Sequence, residues 1–388
     1  MDTVEFIKAF ARLTPKQQEV LLNVLPYAAI PQYLPQPAAP SEVSTQRSDL
    51  ASNFYIERPK IDERCYQELA KPGALIRIKA PCQMGKTSLI TRILHQASEY
   101  GYATVSLNLQ LADTQVFNDL DRFLQWFCTS ITRQLGLPNR LGDYWKGIFG
   151  SKVACKSYLE GYLLPNLTTP LVLSLDEVDV VCKYPEITAD FFALLRACHE
   201  DAKYRPIWQK LRLVLVHSTE VFSPMSINQS PFNVGLPIEL LEFQPPMVLE
   251  LAQHYGLSWG IPQVEELMAM VGGYPYLVQL ALYAIAHSEL TLQQLLETAP
   301  TDTGIYSDHL RHHLENLQQH PELAAAVREV VNAPYPVRLD SMLAFKLHSM
   351  GLVNLQGNKA RPRCNLYRQY FQVKLQGMKL SIYSALSS

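Results

Sequence analysis

The segment Ala80-Pro-Cys-Gln-Met-Gly-Lys-Thr-Ser88 has residue types and a spacing suited to binding phosphate. A phosphate loop needs a strand that ends abruptly, consecutive backbone N–H groups turned inward, and a helix whose positive end faces the anion. Gly85 lets the backbone approach the phosphates, Lys86 can reach the β- and γ-phosphates, and the Thr87 hydroxyl can ligate Mg²⁺. The residues predicted to bind the phosphates are Ala80, Gln83, Met84, Gly85, Lys86, Thr87 and Ser88. Ala80 stands where glycine is usual, which broader forms of this pattern tolerate.

A second group of candidate functional residues lies at the end of the apolar run Leu171-Val-Leu-Ser-Leu-Asp-Glu177. A strand that ends in two carboxylates can place Asp176 as the Mg²⁺ partner and Glu177 as the base that polarises an attacking water. Together with Lys86, Glu177 is a predicted catalytic residue. The alternative is a strand that stops at a charged turn, and the phosphate loop upstream favours the functional interpretation.

A third buried run, Leu211–Val216, is followed by His217-Ser-Thr-Glu220. In a sheet of this kind the strand beside the acidic one delivers a polar residue near the γ-phosphate. Ser218 or Thr219 could sense that phosphate by hydrogen bonding. An ordinary polar strand end is an equally good interpretation, and the residues alone leave both open.

The elements that must position these residues alternate between strand and helix. The predicted strands are Ala74–Ala80, Tyr102–Leu109, Leu171–Leu175 and Leu211–Val216, and the predicted helices include Lys86–Tyr100 and Val116–Leu135. Strands separated by helices predict a parallel sheet with helices on both faces. Residues 51–240 are therefore interpreted as an α/β domain of the P-loop type.

Helical periodicity replaces the strand pattern after Leu240. Residues 241–316 are predicted to form a helical lid, interrupted at Gly272-Gly-Tyr-Pro275. Residues 317–388 are predicted to form a winged helix, from two helices and a hairpin that turns at Gly357-Asn358. Its core would contain Tyr367, Tyr370 and Phe371.

The N-terminal part of the sequence has a different character. Residues 1–27 are predicted to form a short helical adaptor that recruits a protein partner through helix packing. Residues 28–50 are predicted to be a semi-rigid linker, because the tract from Pro26 to Leu50 contains five prolines.

Several of these motifs resemble the bacterial AAA-like domain family, which belongs with the STAND (signal-transduction) P-loop ATPases and is related to origin-recognition-type AAA+ ATPases. The segments that carry the resemblance are Phe54–Pro59, Lys79–Leu89, Leu173–Asp179, Asn228–Pro237, Gly272–Leu277 and Cys364–Phe371. The resemblance implies a switch that binds ATP or ADP with Mg²⁺. It also implies that Arg58 lies near the base and sugar and that Pro275 meets the nucleotide from the lid. No arginine that follows matches a finger or second sensor, so the implied activity is an Mg²⁺-dependent ATPase of low turnover.

The distribution of charge along the sequence bears on whether the protein binds nucleic acid. The formal net charge of −2 argues against a protein that coats nucleic acid. Residues 341–388 nevertheless carry seven Lys or Arg and no Asp or Glu, a formal charge of +7 that could contact a phosphate backbone. A winged helix of this architecture also serves as a domain interface that holds the resting state. DNA contact and an intramolecular interface both stay open, as does self-assembly.

His309, His312 and His313 raise the question of a metal site, since His309 and His313 are one helical turn apart. Nothing in the sequence points to a further ligand from another segment, so a solvated, charged helix face is favoured over a metal site.

The seven cysteines form no CxxC pair and are interpreted as reduced thiols, most of them in the core. The N-terminus lacks the features of a signal peptide, and no apolar run approaches membrane-spanning length, so the prediction is a cytoplasmic protein without membrane contact.

The favoured function is a slowly hydrolysing ATP switch in signalling or defence. The alternatives are a DNA-binding loader or transposition-type ATPase, and a nucleotide-holding scaffold with negligible turnover.

Overall fold

A five-stranded parallel sheet lies at the centre of the part of the chain that the structure describes. This computed structural model describes residues 55–145, 149–218, 233–287 and 290–376, which all belong to one unit. The strands of the sheet are β1 (Leu75–Lys79), β2 (Ala103–Asn108), β3 (Leu171–Asp176), β4 (Leu211–His217) and β5 (Leu236–Glu239). Their order is β2-β3-β4-β1-β5, and each neighbouring pair is parallel. The carboxyl ends of β1, β3 and β4 therefore meet at one edge of the sheet.

Strands β3 and β4 are buried along their whole length. Parallel strands read as continuous apolar runs when helices cover both faces of the sheet. The helices of this part are α1 (Pro59–Leu69), α2 (Lys86–Glu99), α3 (Leu120–Gln134), α4 (Leu141–Tyr144), α5 (Ser151–Tyr158), α6 (Leu164–Asn166) and α7 (Pro185–Asp201). The predicted α/β fold is confirmed.

Two details of this part differ from the sequence-based expectation. Helix α3 begins at Leu120 and not at Val116, because the Asp119 side chain accepts a hydrogen bond from the Asp121 N–H at 3.0 Å and caps the helix. Strand β5 was not predicted. It has four residues and contains Pro237, which an edge strand tolerates because one side of that strand needs no ladder hydrogen bonds.

The remaining described residues form two helical parts. The segment predicted as a lid contains α8 (Pro245–His254), α9 (Ile261–Val271), α10 (Pro275–His287), α11 (Leu292–Thr298) and α12 (Ser307–Gln319). The C-terminal part contains α13 (Pro321–Asn332), α14 (Ser341–Ser349), β6 (Val353–Gln356), β7 (Lys359–Pro362) and α15 (Asn365–Gln376). Strands β6 and β7 form an antiparallel hairpin, so the C-terminal element order is the one predicted. Its assignment as a winged helix stays a prediction.

Burial in the C-terminal part agrees with the expected core. Tyr367, Tyr370 and Phe371 of α15 are each at most 2% exposed. The predicted adaptor and linker lie outside the described residues, as does Thr219. Within the described ranges, no helix has the length and apolar character needed to span a bilayer.

Candidate functional site

The loop between β1 and α2 has the backbone shape that close contact with an anion requires. Gly85 precedes the first turn of α2 and has φ 90° and ψ 25°, a left-handed conformation that glycine adopts without strain. Gln83, two residues earlier, also has a positive φ of 62°. The first turn of α2 leaves N–H groups without partners inside the helix, and the helix dipole adds positive potential there. The loop can therefore accept a phosphate.

Lys86 lies across this loop. Its side-chain Nζ donates to the carbonyl oxygens of Ala80 and Pro81 at 3.1 and 3.2 Å, and the residue is 6% exposed. An ammonium group has three N–H donors, so one donor is left for an anion in this position. The lysine is held at the loop by the same backbone that would surround the phosphates.

Thr87 and the end of β3 meet across the sheet edge. The Thr87 hydroxyl donates to Asp176 Oδ2 at 3.5 Å, and the Glu177 N–H donates to Asp176 Oδ1 at 2.9 Å. Burial raises the pKa of the Asp176 carboxyl, against the opposing effects of the Glu177 N–H and the Lys86 ammonium. A hydroxyl and a carboxylate are the oxygen ligands that Mg²⁺ prefers. These two residues fit a Mg²⁺ site.

Glu177 follows β3 in a left-handed conformation, with φ 55° and ψ 42°. A non-glycine residue in this region costs about 1–3 kcal/mol, and such strain is concentrated at functional sites. Burial raises the pKa of the Glu177 carboxyl, while the nearby Lys86 ammonium lowers it. The strained turn directs Glu177 to the cavity described below, where a carboxylate of raised pKa can act as a base near neutral pH.

The end of β4 is supported by the turn after β3. The Ser218 N–H donates to Asp179 Oδ1 at 3.4 Å, so Asp179 joins the two strand ends. His217 is buried, which lowers its pKa to about 4. Thr219, the other predicted phosphate sensor, lies outside the described ranges.

A cavity of about 350 Å³ opens over the loop. Of the residues predicted from sequence, Arg58, Gln83, Gly85, Lys86, Thr87, Ser88, Glu177 and Pro275 line it. Ala80 and Met84 are buried, at 0% and 2% exposure, and are absent from the lining, while Asp176 reaches the site through Thr87. The lining also includes Tyr55, Ile56, Cys82 and Tyr276, which lie in segments that carry the family resemblance. Phe243 and Gln279 also line it and lie outside every segment that the sequence singled out.

Arg58 connects the segment before α1 to the loop. Its side-chain NH2 donates to Met84 O at 3.2 Å, and its guanidinium carbon lies 5.0 Å from the centroid of the Phe243 ring. Burial lowers the pKa of Arg58. The Asp62 carboxylate fixes the same segment, since it accepts from the Arg58 N–H at 2.7 Å and from the Tyr55 hydroxyl at 2.6 Å. The segment implied by the resemblance therefore borders the cavity.

A second arginine, Arg363, reaches the loop from the C-terminal hairpin. Its NH1 donates to Glu242 Oε1 at 2.9 Å and lies 4.0 Å from the Sδ atom of Met84, a residue of the β1–α2 loop. Its guanidinium carbon is 5.2 Å from the centroid of the Tyr274 ring, and the Tyr274 hydroxyl donates to the Cys82 carbonyl oxygen. No pattern in the sequence indicates this contact, since Met84 and Arg363 are 279 positions apart.

The histidines of α12 correct one expectation. His309 and His313 are 7% and 8% exposed, so a solvated face is wrong for these two residues. His309 Nε2 is 2.7 Å from the Tyr367 hydroxyl, and the two rings stack at 5.8 Å. Helix α15 covers this face of α12, which α12 alone could not indicate. Among the described residues, no group of three or more His, Cys, Asp or Glu side chains is placed to hold a metal ion.

Comparisons with known proteins agree with this geometry. The sequence model of the AAA-like domain family, described as "AAA-like domain", matches residues 43–373. The sequence is also 27% identical over 236 residues to an uncharacterised WD repeat-containing protein of Synechocystis sp.. The alignment covers 53% of this chain and 18% of that protein, so this chain spans less than a fifth of that relative's length.

Two solved structures have a similar fold. A Walker-type ATPase of Pyrococcus abyssi matches with a TM-score of 0.56 and 11% identity, over 82% of this chain and 96% of that chain. The ORC2 protein of Aeropyrum pernix, solved as ADPNP–ADP complexes, matches with a TM-score of 0.50 and 17% identity, over 84% and 97%. At these identities the similarity shows the fold alone. The family resemblance drawn from the motifs is confirmed.

Proposed function

This chain belongs to the AAA-like domain family, and from that premise we propose that it is a slowly hydrolysing ATP switch of the STAND type. It binds ATP or ADP with Mg²⁺ in the cavity over the β1–α2 loop, and the bound nucleotide sets the arrangement of the lid and the C-terminal part. We place its action in the cytoplasm, in signalling or defence. The ORC2 protein of similar fold was solved with the same class of ligand.

One observation carries the proposal: Lys86 and Thr87 begin α2 after the loop that follows β1, and the Thr87 hydroxyl contacts Asp176 at the end of β3. A triphosphate needs amide dipoles, an ammonium group and oxygen ligands for a divalent cation within a few ångströms of each other. The parallel sheet brings these groups together from segments 89 residues apart. Neither segment supplies the set alone.

The residues present define how hydrolysis would proceed. Water attacks the γ-phosphorus, the bond from that phosphorus to the β–γ bridging oxygen breaks, and ADP and phosphate are released. Glu177 orients the water and accepts its proton, which its raised pKa favours. Lys86 donates to the β- and γ-phosphate oxygens and neutralises charge that develops on them. Thr87 and Asp176 would hold Mg²⁺, which supplies further charge neutralisation when bound.

The contacts behind the loop suit a switch. Tyr274 donates to the Cys82 carbonyl from the lid side, and Arg363 contacts Met84 from the C-terminal hairpin. A change in the loop on nucleotide binding therefore acts on both parts. The C-terminal part, which we interpret as a winged helix, would serve as the domain interface that holds the resting state. Residues 1–27 would then recruit a protein partner, and self-assembly would follow release.

The decisive experiment measures affinity for a fluorescent ATP analogue with and without Mg²⁺. Lys86→Ala removes a charged donor to phosphate, which is worth about 1.5–3 kcal/mol, so the affinity should fall about 10- to 150-fold. Lys71→Ala, at an exposed lysine near the end of α1, should leave the affinity unchanged. Wild-type affinity in Lys86→Ala, or wild-type protein that binds no nucleoside triphosphate, would contradict the proposal.

A DNA-binding ATPase is the second candidate, because residues 341–388 carry seven Lys or Arg without an acidic residue. Three of these cations already have acceptors within the chain. Arg363 pairs with Glu242, Arg368 donates to the Val331 and Ala333 carbonyls, and Lys374 pairs with Asp302. The carboxylates of Glu242 and Asp302 neutralise two of these charges, so the positive electrostatic field available to DNA is weaker than the formal charge suggests. A mobility-shift titration at near-physiological salt, with and without ATP, separates the two functions: tight ATP-dependent binding would promote this second candidate.

A further inference from the structure

We propose that the Gln279 carboxamide reads the purine base and makes the cavity selective for adenine over guanine. This inference rests on the proposed nucleotide-binding function and names the residue that sets its specificity. Gln279 belongs to α10 and lines the cavity.

The two ends of the cavity can be assigned from its walls. Lys86, Thr87 and Glu177 mark the phosphate end, because the helix N-terminus and the charged groups lie there. The other walls are formed by Ile56 from the segment before α1 and by Phe243 and Tyr276 from the lid side. Ile56 and Phe243 are 1% and 4% exposed. Apolar and aromatic walls suit the flat faces of a base, so this end is the base end.

Helix α10 carries Gln279 beside Tyr276, one of the walls of that end, because residues three positions apart are neighbours on a helix face. Gln279 follows Pro275 by four residues, so the two lie on the same face of α10, and both line the cavity. The side chain is half-buried. No hydrogen bond joins its carboxamide to another of the described residues, whereas Arg58 donates to Met84 O and the Tyr55 hydroxyl donates to Asp62. Gln279 thus offers a free donor and a free acceptor at the base end.

The chemistry of a carboxamide distinguishes the two purines. Its oxygen accepts from the N6 amino group of adenine while its NH₂ donates to N7, a bidentate pair. Guanine presents two acceptors, O6 and N7, along the same edge, so the carboxamide oxygen meets another acceptor. A bidentate pair of this kind discriminates between bases by about 5- to 150-fold in affinity.

The test compares dissociation constants for ATP and GTP in the wild type, Gln279→Ala, Gln279→Met and the control Gln253→Ala. Gln253 is an exposed glutamine of α8 in the same lid segment. The wild type and Gln253→Ala should bind ATP about 5- to 150-fold more tightly than GTP. In Gln279→Ala the affinity for ATP should fall by that factor, while the affinity for GTP changes by less than about twofold. Gln279→Met keeps a side chain of similar length but removes both the donor and the acceptor, and it should lose the preference as well.

Three results would overturn the inference. The wild type could bind both nucleotides equally, the Gln279 variants could keep the wild-type ratio, or they could lose ATP and GTP affinity in parallel, which would place Gln279 at the ribose or phosphates. Wild-type protein that binds neither nucleotide would overturn the proposed function and this inference together. Normal ATP and GTP affinities with no preference would overturn this inference alone.

Discussion

Arg363 and Glu242 form an ion pair of 2.9 Å that joins the C-terminal hairpin to the segment between β5 and α8. The Arg363 side chain is 3% exposed and that of Glu242 is 26% exposed. The same guanidinium contacts the Tyr274 ring and Met84 of the β1–α2 loop. One side chain therefore joins the β1–α2 loop, the turn between α9 and α10 and the C-terminal hairpin.

Arg363→Ala should lower the free energy of unfolding by about 2–3 kcal/mol, because it leaves the partly buried Glu242 carboxylate without its cation. The measurement is urea denaturation followed by circular dichroism. Arg361→Ala, at an exposed arginine of β7, should change the free energy of unfolding by less than about 0.5 kcal/mol. Equal effects of the two substitutions would show that the ion pair does not hold these parts together.

Glu177→Gln should slow ATP hydrolysis by about 100-fold or more, since a general base is removed, while ATP affinity stays within a few-fold of the wild type. Because burial raises the pKa of Glu177, the wild-type rate should fall with acid at a pH above the usual range of a carboxyl group. Phosphate release measured between pH 5 and pH 8 checks both statements. Glu186→Gln, at an exposed glutamate of α7, is the matched control. Equal phosphate release by wild type and Glu177→Gln would favour the scaffold with negligible turnover.

Gly273→Ala should disrupt the contact between the turn that joins α9 to α10 and the segment after β5. A Cβ at Gly273 would lie 2.1 Å from the carbonyl oxygen of Phe243, whose N–H donates to Gly273 O at 2.7 Å. The clash is with backbone, so we expect a loss of about 1–3 kcal/mol in unfolding free energy. ATP affinity should fall too, because Phe243 lines the cavity. Gly142→Ala, where no heavy atom lies within 4 Å of the added Cβ, should leave both quantities unchanged. A Gly273→Ala protein with the unfolding free energy of the wild type would show that the backbones of Gly273 and Phe243 do not approach each other this closely.

His313 should make the protein less stable in acid. Burial lowers the pKa of His313 from 6.5 to about 4, so between those values the unfolded chain binds a proton that the folded chain does not. Stability is therefore fully present above pH 6.5 and decreases as the pH falls towards 4, by about 3 kcal/mol from this residue. His217, whose pKa is also about 4, contributes in the same window.

His313→Leu should therefore remove part of this acid sensitivity. Urea denaturation at pH 4.5 and pH 7.5 measures how much the free energy of unfolding changes between the two pH values, and His254→Leu, at an exposed histidine of α8, is the control. If this change is as large in His313→Leu as in the wild type, His313 is not a source of the acid sensitivity.

Much of the site could be predicted because its parts are contiguous. The strand, the glycine-containing loop and the helix follow each other from Leu75 to Glu99, so the order of residue types indicates their geometry. Asp176 and Glu177 directly follow an apolar run. Alternation of strands and helices then predicts a parallel sheet, and parallel strands place their carboxyl ends at one edge. The roles of these residues in binding and hydrolysis stay predictions until the experiments above are done.

The sequence by itself determined the position of the glycine-containing loop between β1 and α2, the acidic end of β3 and the α/β fold, because each depends on neighbours along one element or on a simple alternation of elements. Only the tertiary structure decided the partners of Arg363 and the placement of Gln279 at the cavity. Met84 and Arg363 are 279 positions apart, and no periodic pattern links them. The tertiary structure also showed that His309 and His313 are buried beneath α15. Spacing along a helix shows which residues share a face, but which other element covers that face depends on how all the elements pack together.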